Sequence, residues 1–429
     1  MPSCDRATPS SPSARGRAAT RPAEADPAAR PSETSPNVRL SRLATLFFAV
    51  AAGIAVSNVY FAQPLLVSIG QDFGLGAGVL GLVVTATQVG YGLGLFLLVP
   101  LGDMVNRRRL IVAQFGLMAL TLLATAVAPN ALVLLAGMAA VGLLAVVTQA
   151  LVAFAAALAG PARRGRVVGT VTSGVVIGIL SARAVSGALA DLAGWRAVYF
   201  ASAALAMVIG LAAHRVLPRG GPVDSSVGTP MPYRRLLGST VELLRRERTF
   251  RVRGMLALLT FGAFSTLWSC LALPLSAPPL SLSHTAIGAF GLIGVAGAVA
   301  AVPAGRLNDR GFARWTTGGA LILLTLSWLP IALAGQSLWA LAGGVVLLDL
   351  AVQTVHVTNQ SLVLELAPDA GSRLIGGYMI FYSVGSGAGA IASTAAYALA
   401  GWTAVCGLGA ALSLLALLLW ARTQRVSLG

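Results

Sequence analysis

Charged residues are scarce in this sequence, and lysine is missing altogether. Only 10% of the 429 residues are charged and 56% are hydrophobic, whereas about 25% of the residues in a typical soluble domain are charged. A soluble protein of this composition would expose large apolar patches and aggregate. The composition therefore excludes an ordinary soluble domain and predicts a helical membrane protein, in which long apolar runs alternate with short arginine-bearing loops.

The sequence also lacks the residue groups that metal centres, disulfides and nucleotide sites require. Its three cysteines, Cys4, Cys270 and Cys406, are scattered and form no CxxC motif or metal-ligand spacing. No ATP-binding motif occurs, so we expect no cofactor and infer that any energy comes from an ion gradient. A proton gradient is favoured over sodium because the spans contain one deep titratable acid.

Apolar runs of about 20 residues, the length that crosses a bilayer, divide the chain. Residues 1–38 lack the apolar stretch of a signal peptide, and we interpret them as a disordered cytoplasmic tail. A polar, arginine-rich connector (217–253) separates two six-span bundles (39–216 and 254–421), and residues 422–429 form a second tail. The predicted spans are 43–68, 78–101, 110–128, 131–158, 167–190, 197–216, 254–279, 285–304, 315–334, 337–366, 374–399 and 402–421.

Arginine placement gives an independent prediction of the topology. If the N-terminus is inside, all of the 30 basic residues except Arg183 and Arg196 fall on inner tails and loops. Cytoplasmic loops are expected to be enriched in basic residues. We therefore predict that both termini are cytoplasmic, and we interpret the net charge of +16 as an orientation signal and not as a nucleic-acid surface.

The two halves of the sequence resemble each other at an offset of 206–207 residues. Asp103 corresponds to Asp309, and each lies in the short loop after the second span of its half. Matching residues recur in the later loops: Arg166 with Arg373, Gly169 with Gly376, and Gly194-Trp195 with Gly401-Trp402. Such repeats are typical of transporter folds, in which two related bundles enclose a central site. We therefore predict an all-α membrane protein with twelve transmembrane helices in two pseudo-symmetric six-helix bundles.

The repeated loops carry a recognisable motif. The segment GRLNDRGFAR (305–314) resembles the loop motif of the major facilitator superfamily, Gly-x-Leu-x-Asp-Arg followed by a basic residue. The first-half segment VPLGDMVNRRR (99–109) keeps the aspartate and the basic run but departs at Val99, Met104 and Asn106. An aspartate at a helix end accepts backbone hydrogen bonds and pairs with arginine. We predict a conformational latch in these loops, with topology alone as the alternative; its residues are Asp103, Arg107, Arg108, Gly305, Asp309, Arg310 and Arg314.

Further segments resemble one branch of that superfamily, and the resemblance covers nearly everything after residue 40. The segment SNVYFAQPLL (57–66) is similar to an Asn-x-Tyr-x-Ala-Gln-Pro pattern of the twelve-helix drug–proton antiporter-like families, which include exporters of nucleosides, sugars and drugs. This resemblance implies the major facilitator fold and proton-coupled export. Two departures bear on coupling: Ser181-Ala182-Arg183 replaces the usual Gly-Pro pattern of the fifth span, and small residues near Gly137 stand where relatives carry an arginine.

A polar stripe on the tenth span is the main candidate site. Asp349, Gln353, His356 and Gln360 are spaced i, i+4, i+7 and i+11, which places them on one face of one helix. A charge at the bilayer centre costs roughly 2.5–3.5 kcal/mol on insertion scales, so it usually has a functional reason. We predict that Asp349 carries the coupling proton or binds substrate, with His356 as relay. The alternative is a structural hydrogen bond between helices.

Arg183 is the only arginine within a span. It either binds an anionic group, pairs with Asp349, or snorkels to the nearby membrane interface. Other polar residues of the first half are candidates for lining the cavity: Asn58, Tyr60, Gln63, Gln88 and Gln149.

The favoured function is export of small organic molecules in exchange for protons by a monomer in the inner (plasma) membrane. Uptake or facilitated diffusion is the second possibility, and a polytopic membrane enzyme or sensor is a remote third.

Overall fold

The computed structural model is an assembly of α-helices, and the part of the chain that it describes contains no strand. The predicted tail 1–38, most of the connector, and both latch aspartates (Asp103 and Asp309) lie outside the described residues. Described are residues 41–102, 104–159, 163–218, 233, 238, 242, 246–294, 303–308, 310–366 and 371–426.

The helices of the first half follow one another with short connections. They are α1 (Arg42–Ser57), α2 (Leu66–Phe73), α3 (Gly81–Leu101), α4 (Arg107–Ala126), α5 (Ala131–Ala145), α6 (Val147–Leu158), α7 (Arg164–Ala193) and α8 (Trp195–Val216).

The second half repeats this arrangement. Its helices are α9 (Arg248–Cys270), α10 (Ala272–Ser276), α11 (His284–Ile293), α12 (Ala313–Leu326), α13 (Trp328–Ala332), α14 (Leu338–Leu364) and α15 (Gly371–Val426). The last of these comprises two helices, because the backbone leaves the helical region at Ala400 and Gly401. The φ of Gly401 is 67°, a left-handed conformation that glycine adopts without steric cost.

The length and polarity of the helices confirm a polytopic membrane protein. Nine helices in the described part of the chain are long and apolar enough to cross a membrane, and α1 and α11 are shorter apolar helices at two other predicted spans. The long α15 covers two predicted spans, so every predicted span has a helical counterpart. Large apolar side chains such as Trp339 and Leu399 are almost fully exposed on the outside of the assembly, as expected of a surface that faces lipid.

Polar side chains in the connections define where several helices begin. The Ser41 hydroxyl accepts a hydrogen bond from the Ala44 backbone N–H at the start of α1, and Asn106 caps α4 in the same way. Asn130 and Ser283 cap α5 and α11. Such caps satisfy backbone donors that have no partner within the helix.

The first predicted span is interrupted. After Ser57 the α1 helix gives way to turns, a short 3-10 helix at Gln63–Leu65, and then α2. Pro64 has no N–H to donate and disfavours helix at the residue before it, which accounts for the break. The polar residues Tyr60 and Gln63 therefore lie on irregular backbone, and both are buried.

Contacts between helices follow the internal repeat. Within the halves α1 packs on α7, α3 on α5, and α9 on α15. Between the halves α3 packs on α15, and α11 packs on α7. The 207-residue offset relates α7 to the first part of α15 and α3 to α11, so these two contacts are the same contact with the halves exchanged.

Glycines allow the closest of these crossings. A Cβ on Gly178 of α7 would collide with the backbone of Gly53 on α1. A Cβ on Gly385 of α15 would collide with the backbone of Leu258 on α9, and Gly385 lies 207 residues after Gly178. Small residues let helix backbones approach closely in membranes, so equivalent glycines set equivalent helix contacts in the two halves.

Candidate functional site

Arg183 of α7 is buried where the two halves meet. It is 3% exposed, and its Nε donates a hydrogen bond of 2.5 Å to Oε1 of Gln63. Its guanidinium carbon lies 4.0 Å from the ring centroid of Trp268 and 5.1 Å from that of Tyr60. A snorkelling arginine would hold its charged head in the interface. The burial of Arg183 therefore excludes that alternative.

Trp268 of α9 connects Arg183 to Asp349 of α14. One face of the indole covers the guanidinium, and its Nε1 donates a hydrogen bond of 3.1 Å to Oδ1 of Asp349. Asp349 is 6% exposed, and a Cβ on Gly294 would collide with its Oδ2. Within the described ranges Arg183 and Asp349 form no salt bridge of 4 Å or less. The opposite charges attract each other electrostatically without direct contact.

Two glycines of α11 bring the second half of the protein against Arg183. A Cβ on Gly288 would collide with the carbonyl oxygen of Arg183, and a Cβ on Gly291 would lie 2.9 Å from the Arg183 Cβ. Glycine at these two positions lets the α11 backbone contact Arg183 on α7, where a larger residue would collide with it. We call Tyr60, Gln63, Arg183, Trp268 and Asp349 the central cluster, because it joins residues of both halves.

A small cavity adjoins the central cluster on its Arg183 side. The space inside it that a water-sized sphere can reach is about 10 Å³. Besides the polar groups of Gln63 and Arg183, the walls are apolar or aromatic. The lining residues are Gln63, Pro64, Arg183, Trp268, Leu271, Ala272 and Ile287.

A chain of aromatic and imidazole rings extends from the cluster along the second half. The Tyr60 and Tyr382 hydroxyls are 2.7 Å apart, and the Tyr382 ring centroid lies 4.2 Å from that of Phe261. Phe261 in turn packs on His356, whose Nδ1 is 3.1 Å from the Tyr378 hydroxyl. The predicted relay residue His356 is therefore connected to the central cluster indirectly, through Phe261 and Tyr382.

Asp349 and His356 share one face of α14, as the spacing predicted. Seven residues separate them, which corresponds to about 10 Å along the helix axis. Gln353 and Gln360 are half-buried on the same helix. Direct proton transfer from Asp349 to His356 is excluded by this distance, so the relay role stays a prediction that requires an intermediate group.

Other candidate residues lie away from the central cluster. Asn58 is fully buried; its side-chain nitrogen donates to the Ile54 carbonyl at 2.9 Å, and its Oδ1 accepts from the Ser202 hydroxyl at 2.6 Å. These contacts tie α1 to α8 within the first half. Gln88 contacts Ser383 between α3 and α15, and Gln149 is half-buried on α6. Their predicted cavity roles stay predictions.

Of the predicted latch residues, the structure describes the four arginines and Gly305. Arg107 Nε donates to the Gly102 carbonyl at 3.2 Å, and Arg108 donates to the His214 carbonyl. On the second-half loop Arg310 and Arg314 are exposed and Gly305 is half-buried. Because both aspartates lie outside the described residues, the latch stays a prediction.

The ends of α7 and α11 are joined by a dense set of hydrogen bonds. Asp191 accepts from the Thr285 N–H at 2.7 Å, from the Thr285 hydroxyl at 2.6 Å and from the His284 N–H at 3.1 Å. His284 Nδ1 lies 2.6 Å from the same carboxylate, and Nε2 lies 2.6 Å from the Ser68 hydroxyl. A carboxylate of the first half therefore caps the N-terminus of a helix of the second half.

The packing between the halves is asymmetric along the helices. A Cβ on Gly187 would collide with the His284 carbonyl, and one on Gly81 with the Ala390 carbonyl. At the other ends of α7 and α15, a Cβ on Gly169 or Gly376 would meet nothing within 4 Å. The halves meet closely at the end that carries Asp191, which we call the closed end. They are less closely packed toward the opposite end.

Replacing Asp191 with asparagine is expected to weaken the closed end. The amide nitrogen of asparagine cannot accept the hydrogen bonds that one carboxylate oxygen now accepts, and the charge at the helix N-terminus is lost. We expect a loss of about 1.5–3 kcal/mol in the stability of this contact, the range for hydrogen bonds to charged groups. Hydrogen exchange at the start of α11 is the measurement, with faster exchange expected.

The control for this change is Glu242→Gln. Glu242 forms an exposed i,i+4 pair with Arg246, and such pairs contribute little. Unchanged exchange at α11 in Asp191→Asn would mean that the glycine crossing alone holds the closed end together.

Three side-chain types of the central cluster, namely arginine, tryptophan and aspartate, occur together a second time at the closed end. Trp195 Nε1 donates to Asp72 at 2.8 Å, Arg196 pairs with the same carboxylate, and the Arg196 guanidinium lies 4.4 Å from the Trp195 ring centroid. The hydrogen bonds from Trp195 and Arg196 lower the pKa of the Asp72 carboxyl. This exposed group stays ionised at neutral pH and supplies matched control positions.

Sequence analysis did not single out Trp268, Asp191 or His284 as partners. Trp268 stands in an apolar span, where packing is the commoner role of tryptophan, and no spacing links it to a carboxylate 81 residues later. Asp191 and His284 lie at the ends of different spans. The one sequence signal for their contact is that both residues lie beside span boundaries at the same predicted membrane face.

Two related helical halves that meet around a central site are an architecture of membrane transport proteins. The chain is a member of the Major Facilitator Superfamily, whose family model matches residues 45–278 and 254–427. This membership confirms the predicted fold and the assignment as a transporter and not an enzyme.

Relatives with related sequences are named as transporters. The "Putative uncharacterized transporter YgaY" of Escherichia coli (strain K12) is 45% identical over 386 residues, covering 90% of this chain and 97% of that protein. A probable transporter of Streptomyces coelicolor is 35% identical and covers 86% of this chain and 85% of its own length. A "Probable sugar efflux transporter" of Helicobacter pylori is 23% identical, with 90% and 95% covered.

Solved structures share the fold at low sequence identity. A bacterial homolog of the human lysosomal transporter Spinster, in an inward-facing and occupied conformation, superposes with a TM-score of 0.71 at 14% identity, covering 89% of this chain and 96% of that one. The human organic anion transporter MFSD10 (TETRAN) superposes with a TM-score of 0.65 at 20% identity, covering 90% and 100%. At these identities the likeness concerns the fold alone.

Proposed function

We propose that this transporter exports small organic molecules from the cell in exchange for protons. The observation that carries the proposal is Asp349, a carboxylate buried deep in the second half beside Trp268 and near Arg183 of the first half. A group whose charge changes on protonation, held between two moving bodies, is what proton coupling requires.

The charge arrangement supplies a physical link between protonation and conformation. With Asp349 ionised, its attraction to Arg183 favours the approach of the two halves. Protonation removes that attraction, and the halves become freer to separate at the closed end. A substrate that competes with the proton for the site then moves in the opposite direction to it, by alternating access of the two halves.

The orientation proposed for the cell follows from the arginine distribution. The basic loops lie at the end opposite the closed end, so the closed end faces outward and both termini face the cytoplasm of a bacterial inner membrane. The described conformation is then closed to the outside. We propose a monomer surrounded by lipid as the working unit, and the sugar efflux transporter of Helicobacter pylori supports export as the direction.

The test is proton movement in liposomes that contain the purified protein and an internal pH dye, with no gradient at the start. Drugs, nucleosides and sugars are added outside one at a time. An antiporter exchanges entering substrate for leaving protons, so the interior becomes more alkaline. Protein-free liposomes are the control for passive diffusion, and radiolabelled substrate reports uptake independently of the dye.

The second candidate is uptake with protons or without coupling. It is favoured by one observation: Nη2 of Arg183 is buried and has no hydrogen-bond partner. An anion at Nη2 and a proton on Asp349 would together keep the site neutral, which favours movement in the same direction. In the same assay a symporter makes the interior more acidic, and a facilitator takes up substrate without a pH change.

A further inference from the structure

The guanidinium of Arg183 meets the side chains of the second half through aromatic rings. Its own half holds it through the Gln63 side chain and the Tyr60 ring. Across the interface the guanidinium carbon lies 4.0 Å from the ring centroid of Trp268 and 5.8 Å from that of Phe264. A guanidinium within about 6 Å of an indole face is attracted to the ring. In the described part of the chain, the Trp268 indole is therefore the nearest ring of the second half that holds Arg183.

The position of this indole depends on Asp349. Oδ1 of Asp349 accepts the hydrogen bond from Trp268 Nε1, and Trp268 is 2% exposed. The indole nitrogen is a donor only, so the carboxylate supplies the acceptor that this buried donor needs. Among the described residues Arg183 is the one charged group that acts on Asp349, and Gly294 packs against Oδ2 without contributing a charge.

The exposed cluster of Asp72, Trp195 and Arg196 shows what is different at the centre. In that cluster the arginine pairs directly with the carboxylate that also accepts from the tryptophan, and all three residues belong to the first half. Within the described ranges Arg183 and Asp349 form no such salt bridge. The carboxylate and the arginine belong to different halves here, and the indole lies between them.

Protonation of Asp349 weakens both contacts of the indole. The N–H of Trp268 occupies the position beside Oδ1, so the proton binds at Oδ2, and Oδ1 still accepts as a carbonyl oxygen. A hydrogen bond to a carboxylate is roughly twice as strong as one to a neutral acceptor. The carboxylate also polarises the ring and makes its face more negative, which strengthens the attraction of the guanidinium. A protonated Asp349 holds the ring less firmly, and the ring then holds Arg183 less firmly.

We propose that Trp268 is a positioning residue that transmits the protonation state of Asp349 to Arg183 and thereby to the first half of the protein. The inference rests on the proposed function in taking Asp349 as the group that is protonated during transport. It adds the contact through which that protonation loosens one half from the other. A ring that served only for packing would not respond to the charge of Asp349.

The indole N–H signal of Trp268 in an NMR spectrum tests this link directly. The full-length protein, with ¹⁵N-labelled tryptophan and in lipid nanodiscs, gives few indole signals because the sequence has seven tryptophans. The signal that is missing from Trp268→Phe belongs to Trp268. Between about pH 5 and pH 9, where strongly perturbed carboxyl groups titrate, we expect this signal to shift upfield on acidification in the wild type and to stay in place in Asp349→Asn.

The Trp195 signal, assigned in the same way with Trp195→Phe, is the matched control. It should stay in place over this pH range, because Asp72 stays ionised beside Arg196. A Trp268 signal that does not respond to pH, or that shifts equally in Asp349→Asn, would refute the inference.

Trp268→Phe tests the consequence for transport. Phenylalanine keeps an aromatic face for Arg183 but cannot donate to Asp349. We expect the number of protons moved per substrate molecule to fall roughly tenfold in the liposome assay, because a hydrogen bond to a charged group is lost. A purely structural role would lower substrate uptake and proton movement together, so an unchanged ratio in Trp268→Phe would contradict the inference.

Trp195→Phe removes the same N–H donor from the exposed cluster and should leave the ratio of protons to substrate unchanged. If Trp268→Phe does not fold, the pH titration decides alone. The inference then requires one indole signal that shifts with pH in the wild type and stays in place in Asp349→Asn.

Failure of this inference and failure of the proposed function give different results. If a drug, nucleoside or sugar drives protons across the liposome membrane but the Trp268 signal ignores the charge of Asp349, Trp268 is a packing residue and proton-coupled transport stands. If the signal follows Asp349 while no compound moves protons, the link through the indole stands and proton coupling is wrong.

Discussion

Asp349→Asn is expected to reduce substrate-driven proton movement in proteoliposomes to the level of protein-free vesicles. Asparagine has nearly the same shape, and its oxygen still accepts the hydrogen bond from Trp268. What it loses is the ability to take up and release a proton and the charge that balances Arg183. Asp349 is the only acid that the sequence places deep in a span, so we expect no other carboxylate to take over.

The Asp349→Asn experiment has a matched control in Asp72→Asn. Asp72 likewise accepts a hydrogen bond from a tryptophan, but it also pairs directly with an arginine and lies at an exposed helix end. Its replacement should leave proton movement intact. Normal proton movement in Asp349→Asn would reduce Asp349 to a structural hydrogen-bonding residue.

Gly288→Leu is expected to slow transport by disfavouring closure at the closed end. The α7 and α11 backbones touch at this glycine, and even a Cβ would collide with the Arg183 carbonyl. Overpacking a close contact costs about 1–3 kcal/mol, which corresponds to roughly 5- to 150-fold in the population of the closed conformation. Because transport requires each end to close in turn, the rate should fall in proportion.

Accessibility measures this shift directly. A cysteine at Ser68, which lies against His284 in the closed end, is labelled with a membrane-impermeant maleimide in a background without the natural cysteines. Labelling should be faster in Gly288→Leu. Gly319→Leu is the control, since a Cβ there meets nothing within 4 Å. Slow labelling with wild-type transport in Gly288→Leu would mean that the close crossing is not needed for closure.

The membrane topology could be predicted from the sequence because its causes are local. A span is recognised from about 20 consecutive apolar residues, and arginine marks the connections at one membrane face. The merged helix α15 illustrates the point. The residues Ala400 and Gly401 interrupt it at the boundary between the predicted spans 374–399 and 402–421.

The central cluster was only partly predictable. Arg183 and Asp349 stood out because a charge within a span is costly and therefore rare. Helix periodicity placed Asp349 and His356 on one face, since that relation depends on one helix alone. The position of Trp268 between Arg183 and Asp349 depends on the distance and rotation between α7, α9 and α14, and so does the lack of a direct salt bridge. Residue spacing within a single helix does not predict the relation between helices.

The same limit explains Asn58. The sequence made it a candidate for lining the cavity, and the structure directs its amide to Ile54 and Ser202 inside the first half. A polar residue in a span must find partners within the protein, but the sequence does not say on which side of the helix the partner lies. Which helix faces which is decided by packing.

The sequence by itself determined that this protein is a twelve-helix membrane protein with two related halves and a few buried charges, because hydrophobicity, loop charge and repetition act over short stretches of chain. The tertiary structure decided which of those charges meet, through which side chain, and at which end the halves close. Those outcomes follow from contacts between residues 81 to 322 positions apart, such as Trp268 with Asp349 and Tyr60 with Tyr382. These contacts form only when helix backbones cross closely at glycines such as Gly288, which excludes lipid and water from between the helices.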